Sequence, residues 1–165
     1  MKRIVPFESR KPPRRSLTLS IAAGLNGKTL RCSFEGKIVV DISNPLDESW
    51  VRLATDPSTS SAELLAEQLP GSRIAKAFNT THAPALFEGQ VDEVPLDVFV
   101  ASDDDDAKSQ ISELMRAAGL RPIDAGRLDN ARLLERLTAF QIELSQCFDL
   151  DFRLTLKLLP AELAK

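Results

Sequence analysis

The sequence is poor in the residues from which metal centres and disulfide frameworks are built. It holds two cysteines, Cys32 and Cys147, far apart, and one histidine, His82. Two lone cysteines make neither a metal cluster nor a disulfide framework, so no metal site is expected and both are read as reduced thiols of a cytoplasmic protein. Long apolar runs are missing as well. None approaches the roughly 20 residues that a membrane-spanning helix requires, which excludes a helical membrane protein and a membrane partner. Internal repeats and low-complexity linkers are also lacking. What remains, 165 residues with 43% hydrophobic and 27% charged content, is the material of one globular domain with its own core.

Charge is unevenly placed. Residues 1–15 carry Lys2, Arg3, Arg10, Lys11, Arg14 and Arg15 against Glu8 alone, together with Pro6, Pro12 and Pro13. Such a basic segment with little to bury is expected to be a disordered arm, leaving residues 16–165 as the folded unit. Nothing further in it points to nucleic acid. Arg14-Arg15 before an apolar stretch also resembles a twin-arginine export signal, but no small-residue cleavage pattern follows.

Short apolar runs recur at "SLTLSIA" (16–22), "GKIVVDIS" (36–43), "SRIAKAFN" (72–79), "LDVFVAS" (96–102) and "LRPIDAG" (120–126), each suited to a buried parallel strand. Helical patterns lie between them. Ser60 or Ser61 can cap a helix bearing Leu64, Leu65 and Leu69 that Pro70-Gly71 stops. Ala107, Ile111, Leu114, Met115 and Ala118 follow helical spacing up to Gly119, and a third helix covers about 130–146 with Leu133, Leu134, Leu137 and Phe140 apolar. Alternating strands and helices predict an α/β fold with a mainly parallel sheet and flanking helices. At the end, Phe152, Leu154, Leu156 and Leu158 alternate with polar residues, the pattern of an edge strand.

The stretch "SLTLSIAAGLNGKTL" (16–30) has the form of a strand running into a nucleotide-binding loop. A dinucleotide fingerprint would place Ala22, Gly24 and Gly27 at its three glycine positions, and a phosphate loop would use Ala22, Gly27, Lys28 and Thr29. Both patterns lack their first glycine, so the loop by itself decides for neither. The short distance from Thr29 to Asp41 argues against a phosphate-loop ATPase.

Further along, "GKIVVDISNPL", "SSAELLAEQLPGSRIAKAFNT" and "DVFVASDDDDAKSQISELMRAAGLRPIDAGRLDNARLLERL" resemble, in order and spacing, the NADP oxidoreductases that use a deazaflavin coenzyme. They are similar also to the reductase domain of six-span ferric reductases. The resemblance implies a Rossmann-like NADP-binding domain whose fingerprint is the opening loop, with Ala22, Gly24 and Gly27 as cofactor-binding positions. It also implies that Asn44, Pro45, Ala77, Phe78 and Asn79 hold the nicotinamide end, that His82 lies near the second substrate, and that hydride passes between two flat cofactors without a catalytic side chain. The chain departs from the family in one respect. It runs from Gly27 to Gly36 directly into what resembles the fourth family strand, so the second and third strands have no candidate sequence.

A truncated Rossmann-like domain follows from that gap, with two consequences. NADP(H) is expected to bind weakly or not at all, because the adenosine contacts are gone, so the chain is either a working reductase or a non-catalytic binding or oligomerising module. The newly exposed sheet edge, "LTLSIA" or "KIVVDI", is expected to make the protein a homo-oligomer. Other candidates read as structural: Asp103 to Asp106 as carboxylates at a helix start, Asp41 as a buried hydrogen-bonding group, and Trp50 as a core or rim residue rather than a cover for a ring.

Overall fold

Three runs rich in valine, isoleucine and alanine form the centre of a sheet: β2 (Ile38–Asp41), β3 (Arg73–Ala77) and β6 (Asp97–Ser102). The computed structural model describes residues 17–19, 34–50 and 52–159. The basic arm, Cys32 and the loop positions Ala22, Gly24 and Gly27 therefore lie outside the described residues. Two outer strands, β1 (Leu17–Leu19) and β7 (Arg121–Asp124), complete a five-stranded sheet of order β1-β2-β3-β6-β7.

Pairing is parallel for β1–β2, β2–β3 and β6–β7, with Leu17 opposite Ile38 and Ile38 opposite Arg73. The exception is β6, which runs antiparallel to β3 with Lys76 opposite Ala101. The chain reverses between them through the short helix α2 (Ala83–Glu88) and a hairpin of β4 (Gln90–Val91) and β5 (Val94–Pro95). Asp92 and Glu93 at its tip both have positive φ, 48° and 64°, the mirror-image turn whose twist matches the flanking strands. No parallel crossover helix is needed here. Among the described residues β1 forms one sheet edge and pairs directly with β2.

The other helices are α1 (Ser61–Gln68), α3 (Asp105–Ala117) and α4 (Ala131–Cys147), the last entered through a 3-10 turn at Leu128–Asn130. Ser60 caps α1, its hydroxyl accepting from the Glu63 amide. Asp104 caps α3, its carboxylate accepting from the Ala107 amide at 2.7 Å, and Asp105 and Asp106 occupy the positive end of the dipole. The four aspartates thus begin a helix. Gly119, at φ 80°, takes the left-handed position that ends it.

Two apolar layers sandwich the sheet, as expected when successive strand residues point to opposite faces. One packs Ile38, Val40, Ala75, Val98 and Val100 against Ala107, Ile111 and Met115 of α3. The other packs Val39 and Ile74 against Ala62 and Leu65 of α1 and Ala131 of α4. Fully burying one side chain of Val or Leu size stabilises the fold by roughly 1.5–3 kcal/mol.

Three sequence expectations need correction. Residues 152–158 form no strand; they cross the start of β6 as irregular chain. Asp97, its side chain wholly buried, accepts from Lys157 Nζ at 2.6 Å and the Leu158 amide at 2.8 Å, so charge rather than a ladder ties this segment down. Leu64 and Leu114 are exposed, being at the margins of their helices' buried faces. On α4 part of the apolar set lies inside: Leu134 is buried and Leu137 half-buried, Leu133 and Phe140 are exposed, and Glu135, Thr138, Gln141 and Ser145 share the buried face with Leu134 and Ile142.

Candidate functional site

β2 and β3 run parallel and end side by side, so the turns after them lie together at one edge of the sheet, where parallel α/β sheets offer a ligand crevice. The structure brings the predicted residues of the two turns into contact. Asn44 Nδ2 donates to the Asn79 carbonyl oxygen at 3.0 Å, and Asn79 Nδ2 donates back to Asn44 Oδ1 at 3.0 Å. Immediately before Asn79, Phe78 takes φ 63°, a left-handed conformation that costs a bulky side chain on the order of 1–3 kcal/mol. Asn44, Pro45 and Phe78 are half-buried, whereas the Ala77 and Asn79 side chains are buried.

Beneath these turns lies a charged centre that the strand pattern did not single out. Lys76 points from β3 to the α1 and α4 side, wholly buried, with Nζ 2.9 Å from Asp41 Oδ2 and 2.7 Å from Glu135 Oε1. Nζ also lies 2.6 Å from the Ser43 carbonyl oxygen and 2.9 Å from Ser61 Oγ. Ser61, the first residue of α1, donates its amide to Glu135 Oε1 at 2.9 Å. Asp41 accepts from the Ser43 hydroxyl at 2.6 Å. Burial alone would raise the Asp41 pKa, but the Lys76 charge and the hydrogen bonds from Ser43, Lys76 and Ser61 outweigh it and hold the carboxyl below its ordinary value. A lysine inside an otherwise apolar strand and a glutamate one turn after Ala131 were the available signals.

α4 completes the floor. Thr138 Oγ1 accepts from Asn79 Nδ2 at 3.2 Å and lies 3.0 Å from the Asn79 carbonyl oxygen, which joins the helix to the clamp. Asn79 Oδ1 and both amide atoms of Gln141 are buried without a hydrogen-bond partner, as is His82 Nε2. His82 precedes α2, and its ring meets Phe152 edge-on at 5.5 Å; burial lowers its pKa below 6.5. Trp50, expected at a core or rim position, is instead 74% exposed on the loop that follows Pro45. Among the described residues no group of histidine, cysteine and carboxylate side chains has the makings of a metal site, and no helix is long and apolar enough to cross a membrane.

Comparison with known proteins places this arrangement. No family model matches the chain. Over 122 residues, 68% of this chain, it is 38% identical to the F420-dependent NADP reductase of Methanothermobacter marburgensis and covers 53% of that protein. Over 102 residues it is 38% identical to Metalloreductase STEAP3 of Rattus norvegicus, matching 62% of this chain and 20% of the other. A crystal structure described as a putative F420-dependent NADP reductase from Arthrobacter sp. FB24 superposes with a TM-score of 0.67 at 30% identity, over 72% of this chain and 56% of that one. The chain is a Rossmann-like homologue of the F420-dependent NADP reductases, of whose length it spans about half (53% of the Methanothermobacter marburgensis protein), and of the STEAP metalloreductases.

Proposed function

We infer that this chain is a hydride-transfer module of the NADP reductase type, in which the turns 43–45 and 77–79 hold the nicotinamide end of NADP(H) against a flat second cofactor, the deazaflavin F420. The observation that carries this reading is the Asn44–Asn79 clamp at the joint carboxyl ends of two parallel strands. Asn79 Oδ1, an acceptor without a partner beside the clamp, suits the amide N–H groups of the nicotinamide carboxamide. NADP(H), when bound, would supply or accept the hydride. Asn44 and Asn79 fix the two turns relative to one another, and Pro45 and Phe78 present an apolar surface that excludes water from the ring. No side-chain acid or base is required for transfer between two stacked rings.

The adenosine half of the cofactor fits poorly. In the related fold it lies over strands beyond β1, and among the described residues β1 is the sheet edge. Losing two or three hydrogen bonds to charged groups, each worth about 1.5–3 kcal/mol, weakens binding by orders of magnitude. The chain alone is therefore expected to bind NADPH weakly or not at all, and the position of β1 at the end of the described sheet favours a second reading as a binding or oligomerising module without catalysis. Calorimetric titration of NADPH, and of nicotinamide mononucleotide, separates these readings. Weak binding of both ligands, abolished in Asn44→Ala, supports the nicotinamide site. Micromolar or tighter NADPH binding would overturn the loss of the adenosine half, and no binding of either ligand would favour the module.

A further inference from the structure

We propose that Lys76 is a positioning residue, whose buried ammonium sets the conformation of the turn 43–45 and its spacing from the turn 77–79. The proposal rests on reading those two turns as the nicotinamide site. An ammonium has three protons to give. Two face carboxylates, Asp41 Oδ2 at 2.9 Å and Glu135 Oε1 at 2.7 Å, which leaves the third for the Ser43 carbonyl oxygen at 2.6 Å. Ser61 Oγ, 2.9 Å from Nζ, brings its own proton for Asp41 Oδ2 at 2.7 Å or Glu135 Oε1 at 2.6 Å.

The turn is held from its other side as well. Asp41 Oδ1 accepts from the Ser43 amide at 2.9 Å and from the Ser43 hydroxyl at 2.6 Å. Ser43 is thus fixed at its N–H by a carboxylate and at its C=O by the ammonium paired with that carboxylate, and this settles how the chain enters Asn44. Lys76 lies on β3, whose last residue, Ala77, leads directly into Phe78 and Asn79. One side chain therefore ties the first turn to the strand that carries the second. Glu135 stands one helical turn before Thr138, which accepts from Asn79 Nδ2, so the same centre also sets the floor under the clamp.

Stability is a poor account of this centre. Buried ion pairs replaced by well-packed apolar residues often leave a fold as stable or more so, and Glu135 Oε2 is left buried without a partner. What an apolar replacement cannot supply is a donor for the Ser43 carbonyl oxygen.

Amide hydrogen exchange on the full chain tests this in the charge-free variant Lys76→Met, Asp41→Asn, Glu135→Gln. It is expected to fold, with the amides of β3 and β6 protected as in the wild type. The Ser43 amide should exchange about 10- to 100-fold faster, the equivalent of one hydrogen bond to a charged group, and affinity for nicotinamide mononucleotide should drop at least about tenfold. Asp41→Asn alone keeps Lys76 paired with Glu135 and should give the same pattern in weaker form, which decides the matter if the triple variant does not fold. Unchanged Ser43 exchange, or protection lost equally throughout the sheet, would overturn the proposal. A wild type that binds no mononucleotide would sink the nicotinamide reading, and the exchange pattern alone would then decide whether Lys76 positions the turns.

Discussion

Lys76 and Glu135, 59 residues apart in the chain, meet with 2.7 Å between Nζ and Oε1, and neither side chain reaches solvent. This contact fastens the central strand β3 to α4, and the Lys76 bonds to Asp41 and the Ser43 carbonyl extend it to the end of β2. Removing one partner of a buried pair leaves the other charge uncompensated, at a cost of about 3–5 kcal/mol. Lys76→Met should therefore lower unfolding stability by about that amount, measured by urea denaturation. A loss of less than about 1 kcal/mol would place the centre among ion pairs that contribute little.

Acidification should act at two groups. The Asp41 carboxyl is held below 3.8, so its contribution is complete above that unfolded value and is lost as pH falls through the lower folded one. Half-buried His82 has its pKa depressed below 6.5 by burial, so the fold prefers the neutral ring and loses stability as pH drops beneath 6.5. Melting temperature should fall first in the histidine range, and that first step should vanish in His82→Gln. A flat profile through that range would show that His82 charges freely in the folded state.

The asparagine clamp should be partly separable from stability. Asn44→Ala removes the donor to the Asn79 carbonyl oxygen and the acceptor for Asn79 Nδ2, while Thr138 remains within 3.2 Å of the latter. Because one partner survives, the expected loss is about 1–2 kcal/mol. Thermal melting checks the cost. A loss above about 4 kcal/mol would mean that the clamp supports the core rather than the turns.

We propose that the β1 edge is a surface for self-association. Leu19 pairs through its backbone with Val40, and no described strand lies on its other side. An apolar strand at an open edge invites pairing with its equivalent, and a lysine is the residue natural edges use against it. Leu19→Lys is expected to shift the protein toward monomer in sedimentation. Identical size distributions for both proteins would mean that this edge is covered.

Element order and type were legible in the sequence because they rest on local pattern. Valine and isoleucine runs mark β2 and β6, Ser60 and Asp104 mark helix starts, and "SNPL" and "AFNT" mark the turns of the candidate site. What escaped was decided by partners distant in the chain. Periodicity cannot announce that Lys76 is buried, since a lysine in a strand becomes tolerable inside only when Asp41, Ser61 and Glu135 arrive from three other elements. Apolar residues of α4 were likewise legible, but not which of them would be inside: Leu134 is buried and Leu133 and Phe140 are exposed, because the tertiary fold turns the polar Glu135 and Thr138 toward the floor of the crevice. The reversal of β6 against β3 has the same origin: direction depends on whether the connection crosses the sheet or doubles back. Here the Asp92–Glu93 turn and α2, both too short for a periodic signal, decided it.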